Sequence, residues 1–167
     1  MFTRILVPTD FSPLSDAALE QARLIAAKWG ASIHLLHVLE ELIDTASFGS
    51  EVFVPDSPEV RAARFKEAQE RLAHRVGTRE REQPRATTEV LAGSSTRTIA
   101  DYAAERGFDL IVMGTHGRTG LAHLVMGSVA ERVVRTASCP VLTVRQPRPQ
   151  GGSWMTPTHP IPAEERA

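Results

Sequence analysis

Short apolar runs alternate along this chain with longer stretches whose apolar residues recur at helical spacing. Arg4-Ile5-Leu6-Val7-Pro8 is a compact apolar run that ends at a proline and leads into Thr9-Asp10, which predicts a buried strand emerging into a loop. Ser12-Pro13 then supplies an N-cap with proline at the first helical position. Leu14, Ala18, Ala22, Ile25 and Trp29 keep helical spacing as far as Gly30, a natural stop. Ile33 to Val38 predicts the second strand. Ser57-Pro58-Glu59 restarts a helix with Ala62, Phe65, Ala68, Leu72 and Val76 on one face. Thr87 to Leu91 is β-prone, and Gly93-Ser94-Ser95 turns into a helix carrying Ile99, Tyr102 and Ala103 inward until Gly107. Asp109 to Met113 is the most apolar strand. A glycine-rich segment follows it, then a helix over Ser128 to Thr136 and a last strand, Val141 to Val144.

Strands that alternate with helices in this way are the signature of βαβ units, with a parallel sheet covered on both faces. The expected fold is a single open, doubly wound α/β domain over residues 1–145, with five parallel strands and four main helices. Two stretches fall outside the pattern. Leu39 to Ser57 is longer than most connections in compact domains and reads as a lid, loop or insert. Residues 146–167 hold five of the eleven prolines and little to bury, which predicts a flexible tail.

Composition narrows the class. In 167 residues, 19 basic side chains face 20 acidic ones, a net charge of −1. That balance argues against a nucleic-acid binder working by bulk charge. Cys139 is the single cysteine, so no intramolecular disulfide framework exists and a reducing compartment suits the chain. No apolar run is long enough to span a membrane and no leader-like segment opens the sequence. The expectation is a soluble, cytoplasmic protein.

In an open α/β sheet, ligands bind beyond the carboxyl ends of the strands, where the winding reverses. Two such loops carry chemistry. Gly114-Thr115-His116-Gly117-Arg118-Thr119-Gly120 continues through Met126-Gly127-Ser128-Val129. Four glycines in the fourteen residues from Gly114 to Gly127 leave backbone N–H groups open to a closely approaching anion. Gly127-Ser128 opens a predicted helix, whose unpaired N–H groups and dipole favour phosphate. The same glycines serve equally well as turn residues alone. Asp10, after the first strand, is suited to ribose hydroxyls or to a divalent cation beside phosphates; an Asx-turn or capping role accounts for it as well.

The absences are informative too. The only lysines are Lys28 and Lys66, so there is no phosphate-loop G-x-x-x-x-G-K-[S/T]. The glycine spacing at Gly114 is G-x-x-G-x-x-G and follows a late strand, unlike the dinucleotide fingerprint. Strand three leads into Ala92-Gly93, where a phosphoacceptor receiver would want an aspartate. No nucleophile elbow or metal-ligand spacing is present.

These residues resemble the universal stress protein family, in its ATP-binding branch. Asp109 to Gly120 is similar to that family's signature, as are Gly127-Ser128-Val129-Ala130-Glu131, Ser138-Cys139-Pro140-Val141-Leu142 and Ile5-Leu6-Val7-Pro8-Thr9-Asp10. The branch motif G-x2-G-x9-G-[S/T] is matched by Gly114, Gly117, Gly127 and Ser128. The resemblance implies the universal-stress-protein, adenine-nucleotide α-hydrolase-like fold, with strands one and four adjacent at the switch point. It further implies adenine and ribose around Pro8, Thr9, Asp10 and Val38, and ribose near Met113 and Gly114. Phosphates would lie on Gly117, Gly127, Ser128 and Val129, with a backbone contact from His116. The implied cofactor is ATP, or AMP or ADP, with Mg or Mn, for which Asp10 is the candidate metal ligand. Relatives often dimerise through the last strand, and Val141–Val144 is an edge with few charges to blunt it, so a homodimer is expected.

Nothing in the sequence resembles a general base aimed at a water, or an arginine or lysine clamp for phosphoryl transfer. The leading expectation is therefore a regulatory nucleotide-binding module with at most slow ATP hydrolysis. The rivals are a true Mg-dependent ATPase, with Asp10 positioning metal and water, and a dimeric interaction module that works without nucleotide. Cys139 reads as a small buried hydrophobe. His34 and His37, on opposite faces of the second strand, read as core or edge residues. Arg61 to Arg85, with eight basic and four acidic side chains, reads as a solvated helix face.

Overall fold

The computed structural model describes residues 1–40, 57–77, 86–115 and 126–145. The element order is β1 (Arg4–Pro8), α1 (Pro13–Trp29), β2 (Ser32–Glu40), α2 (Pro58–Gly77), β3 (Ala86–Gly93), α3 (Ser95–Glu105), β4 (Leu110–Gly114), α4 (Ser128–Thr136) and β5 (Val141–Val144). The five strands form one parallel sheet in the order β3-β2-β1-β4-β5. This is the doubly wound architecture that the alternating pattern predicts. The proline-rich tail and the stretch from residue 41 to 56 lie outside the described residues.

The sheet separates two apolar layers. Alternation along a strand sends successive side chains to opposite faces. Ile5, Val7, Ile33, Leu35, Leu110 and Val112 therefore pack toward α1 and Leu72 of α2. Leu6, Leu36, Val38, Ile111 and Met113 pack toward α3 and α4. Both faces of β1 and β4 are buried, which is why those strands read as unbroken apolar runs.

Local signals set the helix ends. Ser12 adopts extended φ/ψ and its hydroxyl accepts from Ser15 N–H at 3.2 Å, with Pro13 beginning the helix. Gly30 closes α1 in the left-handed conformation at φ 70°, its N–H bonded to Ala26 O at 2.8 Å. The face of α1 against the sheet is Ser15, Ala18, Leu19, Ala22 and Ala26. That stripe is rotated from the predicted one: Leu14 and Ile25 are half-buried, while Trp29 is exposed and packs on Phe2. Small residues win the contact because they let the helix axis approach the sheet closely. In α2, Ala68 and Leu72 are buried as predicted, but Ala62 is exposed and Phe65 only half-buried. Over residues 58–67 of α2, Phe65 is the one side chain that is not exposed, so the helix begins to pack only from Ala68 onward.

At the amino edge, Asp109 ties β4 to β1. Its carboxylate accepts from Thr3 N–H at 2.7 Å, from the Thr3 hydroxyl at 2.6 Å and from Arg4 N–H at 3.1 Å. Partial burial opposes this anion, but those three donors outweigh it and hold the carboxyl below its ordinary pKa. Near the same edge, Tyr102 O–H donates to Glu89 at 3.2 Å and His34 Nε2 lies 2.9 Å from the Tyr102 oxygen. With the tyrosine proton so engaged, Nε2–H of neutral His34 donates to it and Nδ1 accepts from the Thr87 hydroxyl at 2.6 Å.

Burial, reinforced by Arg106 and Arg4 and opposed by Glu89, lowers the His34 pKa from its ordinary 6.5. The unfolded chain then binds this proton first as pH falls, so the contribution to stability is complete above about pH 6.5 and is lost below it. Urea midpoints at pH 7.5 and 5.5 are expected to fall further apart for the wild type than for His34→Gln. Equal differences in the two proteins would contradict the assignment.

Candidate functional site

The strand order reverses between β1 and β4. From β1 the chain winds through α1 and α2 to β2 and β3 on one side, then returns through α3 to β4 and α4 to β5 on the other. The ends of β1 and β4 separate at the carboxyl edge, and a crevice of about 540 Å³ opens there. That volume falls within the range of small-molecule sites, about 300–1,000 Å³. Pro8, Thr9, Asp10, Val38, Met113, Gly114, Gly127, Ser128 and Val129 all line it, although the sequence scatters them over some 120 positions. His116 and Gly117 lie outside the described residues.

The β1 side is a rigid turn. Thr9 N–H donates to Leu36 O at 2.9 Å, which prolongs the β1–β2 pairing by one residue. The buried Thr9 hydroxyl lies 2.9 Å from the Ser15 hydroxyl and accepts from Phe11 N–H at 3.0 Å. Beneath it, buried His37 sits with Nδ1 2.7 Å from Thr9 O. A carbonyl only accepts, so Nδ1 carries the proton. Asp10 Oδ1 accepts from Ser12 N–H at 3.1 Å, an Asx-turn. Its Oδ2 is buried and has no hydrogen-bond partner among the described residues. Burial pushes this carboxyl upward, but the N–H and hydroxyl of Ser12 and the nearby Ser15 hydroxyl outweigh it, so Asp10 is held below its ordinary pKa and is ionised. A buried anionic oxygen without a donor is costly and calls for one.

Phe11 pays for none of this with glycine's freedom. It holds φ 65°, and it is the one non-glycine residue with positive φ among those described. An L-residue there costs about 1–2 kcal/mol.

The β4 side is pinned as well. Thr115 N–H donates to Val144 O at 2.9 Å, and Gly127 N–H donates to Thr115 O at 2.7 Å. The second bond brings the end of β4 against the start of α4, so Gly114 and Gly127-Ser128 share one wall. Gly127 is the N-cap of α4 and offers no side chain to it, which leaves the first turn's N–H groups facing the crevice. The dipole adds partial positive charge at that point. The far wall comes from α3: Gly93, at φ 145°, allows the chain to turn into Ser94, and Ser95 and Ile99 reach the crevice. A Cβ on Gly93 would meet Thr98 Oγ1 at 2.8 Å.

His37, Glu40, Arg64, Ser95 and Ile99 line the crevice without having been singled out from sequence as site residues. Glu40 ends β2 and Ser95 opens α3 just after β3, so both were accessible to the carboxyl-edge rule. Arg64 had no local signal, because its place at the crevice is set by how α2 packs and not by its sequence neighbours. Among the described residues no group of three or more His, Cys, Asp or Glu side chains is arranged to hold a metal. A cation here would need oxygen ligands from a bound molecule beside Asp10. Asp10 and the α4 terminus have opposite electrostatic preferences. A ligand spanning them presents donors or a cation at one end and an anion at the other.

A profile of the universal stress protein family matches residues 1–145. The chain belongs to the universal stress protein family. Universal stress protein MJ0531 of Methanocaldococcus jannaschii is 33% identical over 150 residues, covering 89% of this chain and 85% of that one. The solved structure of MJ0577, from the same organism, superposes with a TM-score of 0.75 at 26% identity, covering 89% of this chain and 99% of that one. A universal stress protein from Archaeoglobus fulgidus, solved in complex with dAMP, superposes with a TM-score of 0.59 at 24% identity and shares the fold. It covers 98% of that chain and 86% of this one. No helix among the described residues of this universal stress protein is long and apolar enough to cross a membrane.

Thr9→Val keeps the shape of the β1 turn while removing the hydroxyl that serves Phe11 N–H and Ser15. Leaving such buried groups unsatisfied costs about 1–3 kcal/mol, to be read as a lower denaturant midpoint. A midpoint unchanged from wild type would mean that this turn is not the rigid element described.

Proposed function

We propose that the crevice binds an adenine nucleotide, ATP or its mono- or diphosphate, and that the protein is a regulatory stress-response module with at most slow hydrolysis. The observation that carries this reading is the unpartnered, buried Asp10 Oδ2 at the switch point, in the same crevice as the uncapped α4 terminus. Ribose hydroxyls, or Mg²⁺ or Mn²⁺ shared with phosphates, satisfy the first; phosphates satisfy the second. The dAMP complex of the Archaeoglobus relative supports the adenine nucleotide class.

The polarity follows from charge. Phosphate is repelled by Asp10 and drawn to Gly127, Ser128 and Val129, so the ribose lies at Asp10, Met113 and Gly114. The base then extends over the end of β2, along Val38 toward Ile99. From β2 across β1 to β4 is two interstrand spacings, about 10 Å. The family motif further implies phosphate contacts from Gly117 and the His116 backbone, which lie outside the described residues. A cation would be held by Asp10 together with the phosphates, where it would neutralise charge.

We also infer a homodimer formed through the β5 edge. Leu142 on β5 and Val134 on α4 are exposed apolar side chains, 40% and 46% accessible, and among the described residues β5 pairs only with β4. The one cysteine, half-buried Cys139 with its thiol pKa raised by burial, suits a cytoplasmic setting.

Saturating ATP with Mg²⁺, at 100 times its dissociation constant, adds about 2.7 kcal/mol. At about 2–4 °C per kcal/mol for this size, the melting midpoint rises by about 5–10 °C. Gly127→Val, which sets a side chain at the α4 entrance, is expected to abolish the shift. No shift of the wild type at millimolar ATP would refute nucleotide binding, and turnover above about 1 s⁻¹ would favour an ATPase. Light scattering is expected to give a dimer that Leu142→Lys converts to monomer; a wild-type monomer at micromolar concentration would refute the interface.

A further inference from the structure

Phe11 is an anomaly next to the site. Its backbone occupies the left-handed region, which favours glycine or asparagine. Nothing local in Asp10-Phe11-Ser12 explains why a large ring should stand there. The explanation is tertiary. The Phe11 ring lies 4.3 Å from the His37 ring, centroid to centroid, with 33° between planes. The Arg71 guanidinium sits 4.1 Å from the ring centroid and that of Arg75 sits 4.8 Å away, both from α2. Arg75 also donates to Phe11 O at 3.3 Å. It is itself fixed by Asp16, with Nε at 2.6 Å from Oδ1 and an Nη at 3.2 Å from Oδ2. Two elements, β2 and α2, thus hold one side chain.

The held conformation has a consequence for its neighbour. With Phe11 left-handed, the chain folds back so that Ser12 N–H meets Asp10 Oδ1, while Oδ2 is buried without a partner among the described residues and Asp10 lines the crevice. His37 grips both ends of this arrangement, through its ring contact with Phe11 and through Thr9 O. We infer that Phe11 is a positioning residue for the site, its ring clamped by His37, Arg71 and Arg75 in a left-handed turn that aims the Asp10 carboxylate at the ligand. The inference rests on the nucleotide reading for its ligand, and on the geometry alone for the turn. It makes α2, which touches the crevice directly through Arg64, a second determinant of affinity acting through the Phe11 ring.

The test separates backbone from ring. Phe11→Ala removes the ring and keeps the penalty of positive φ; Phe11→Gly removes the ring and the penalty together. ATP–Mg²⁺ affinity, by isothermal titration, is expected to weaken about tenfold in Phe11→Ala and about threefold in Phe11→Gly. Arg71→Met, which leaves the turn sequence intact, should weaken it about threefold. In an Asp10→Ala background the difference between alanine and glycine at position 11 should vanish, because the residue acts through that carboxylate. A difference that persists there, or wild-type affinity in Phe11→Ala, overturns the inference.

A second readout needs no nucleotide. Hydrogen exchange at the Ser12 amide reports its bond to Asp10, and should accelerate in Phe11→Ala more than in Phe11→Gly. If the wild type binds no ATP but this order of exchange holds, the nucleotide reading fails and the positioning role stands. Equal exchange in the two variants and the wild type overturns the positioning role itself.

Discussion

The pairing of β1 with β4 is the constraint from which the rest of the structure follows. Ile5 lies opposite Leu110 and Leu6 opposite Ile111, and all four side chains are almost wholly buried. Asp109 secures the same pair of strands at the amino edge with three hydrogen bonds to Thr3 and Arg4. Because β1 has β2 as its other neighbour, the two halves of the chain must wind in opposite directions from this seam. The loops that leave β1 and β4 then diverge, and the space between them cannot be filled by a connecting helix. The crevice is a result of topology before any of its side chains is considered.

What fills that space chemically is mostly backbone. The chain has two lysines and a net charge of −1, and the described crevice offers a helix terminus, an N-cap glycine and one arginine where a charge-based phosphate site would gather lysines. Backbone donors carry no net charge and need no side-chain ordering, so they favour an anion without creating an electropositive surface. The anionic Asp10 adds discrimination: it disfavours phosphate at one end and thereby gives the crevice a direction. These features are compatible in a near-neutral protein with the polyanionic ligand proposed for the crevice.

Much of this was legible in the sequence. All five strands and four helices were readable because parallel strands buried on both faces leave continuous apolar runs, and Ser12-Pro13, Gly30 and Ser57-Pro58 mark helix ends by local chemistry. The nine described candidate residues line one crevice because each lies near the carboxyl end of a strand, just after one or at the start of α4. Other features were not readable, for physical reasons. The buried stripe of α1 is set by close approach to the sheet, so alanines displaced the larger Leu14 and Trp29. Ala62 sits at core spacing yet is exposed, since periodicity does not reveal which turns of a helix find a packing partner. The left-handed Phe11 contradicts its own propensity and is explained only by His37, Arg71 and Arg75, which lie 26 to 64 positions away. His37 looked like a core histidine, and it is one, but its Nδ1 and ring support the turn that holds Asp10.

The central claim is that one ligand spans the switch point from Asp10 to the start of α4. Backbone amide NMR of the isotopically labelled protein, titrated with ATP and Mg²⁺, reads this most directly. The account predicts saturable shifts concentrated at residues 9–12, at 37–40, at 113–115 and at 127–130, with little change at the amino edge around Thr3, His34 and Asp109. Shifts confined to one wall of the crevice, shifts centred elsewhere in the fold, or none at millimolar nucleotide would contradict it.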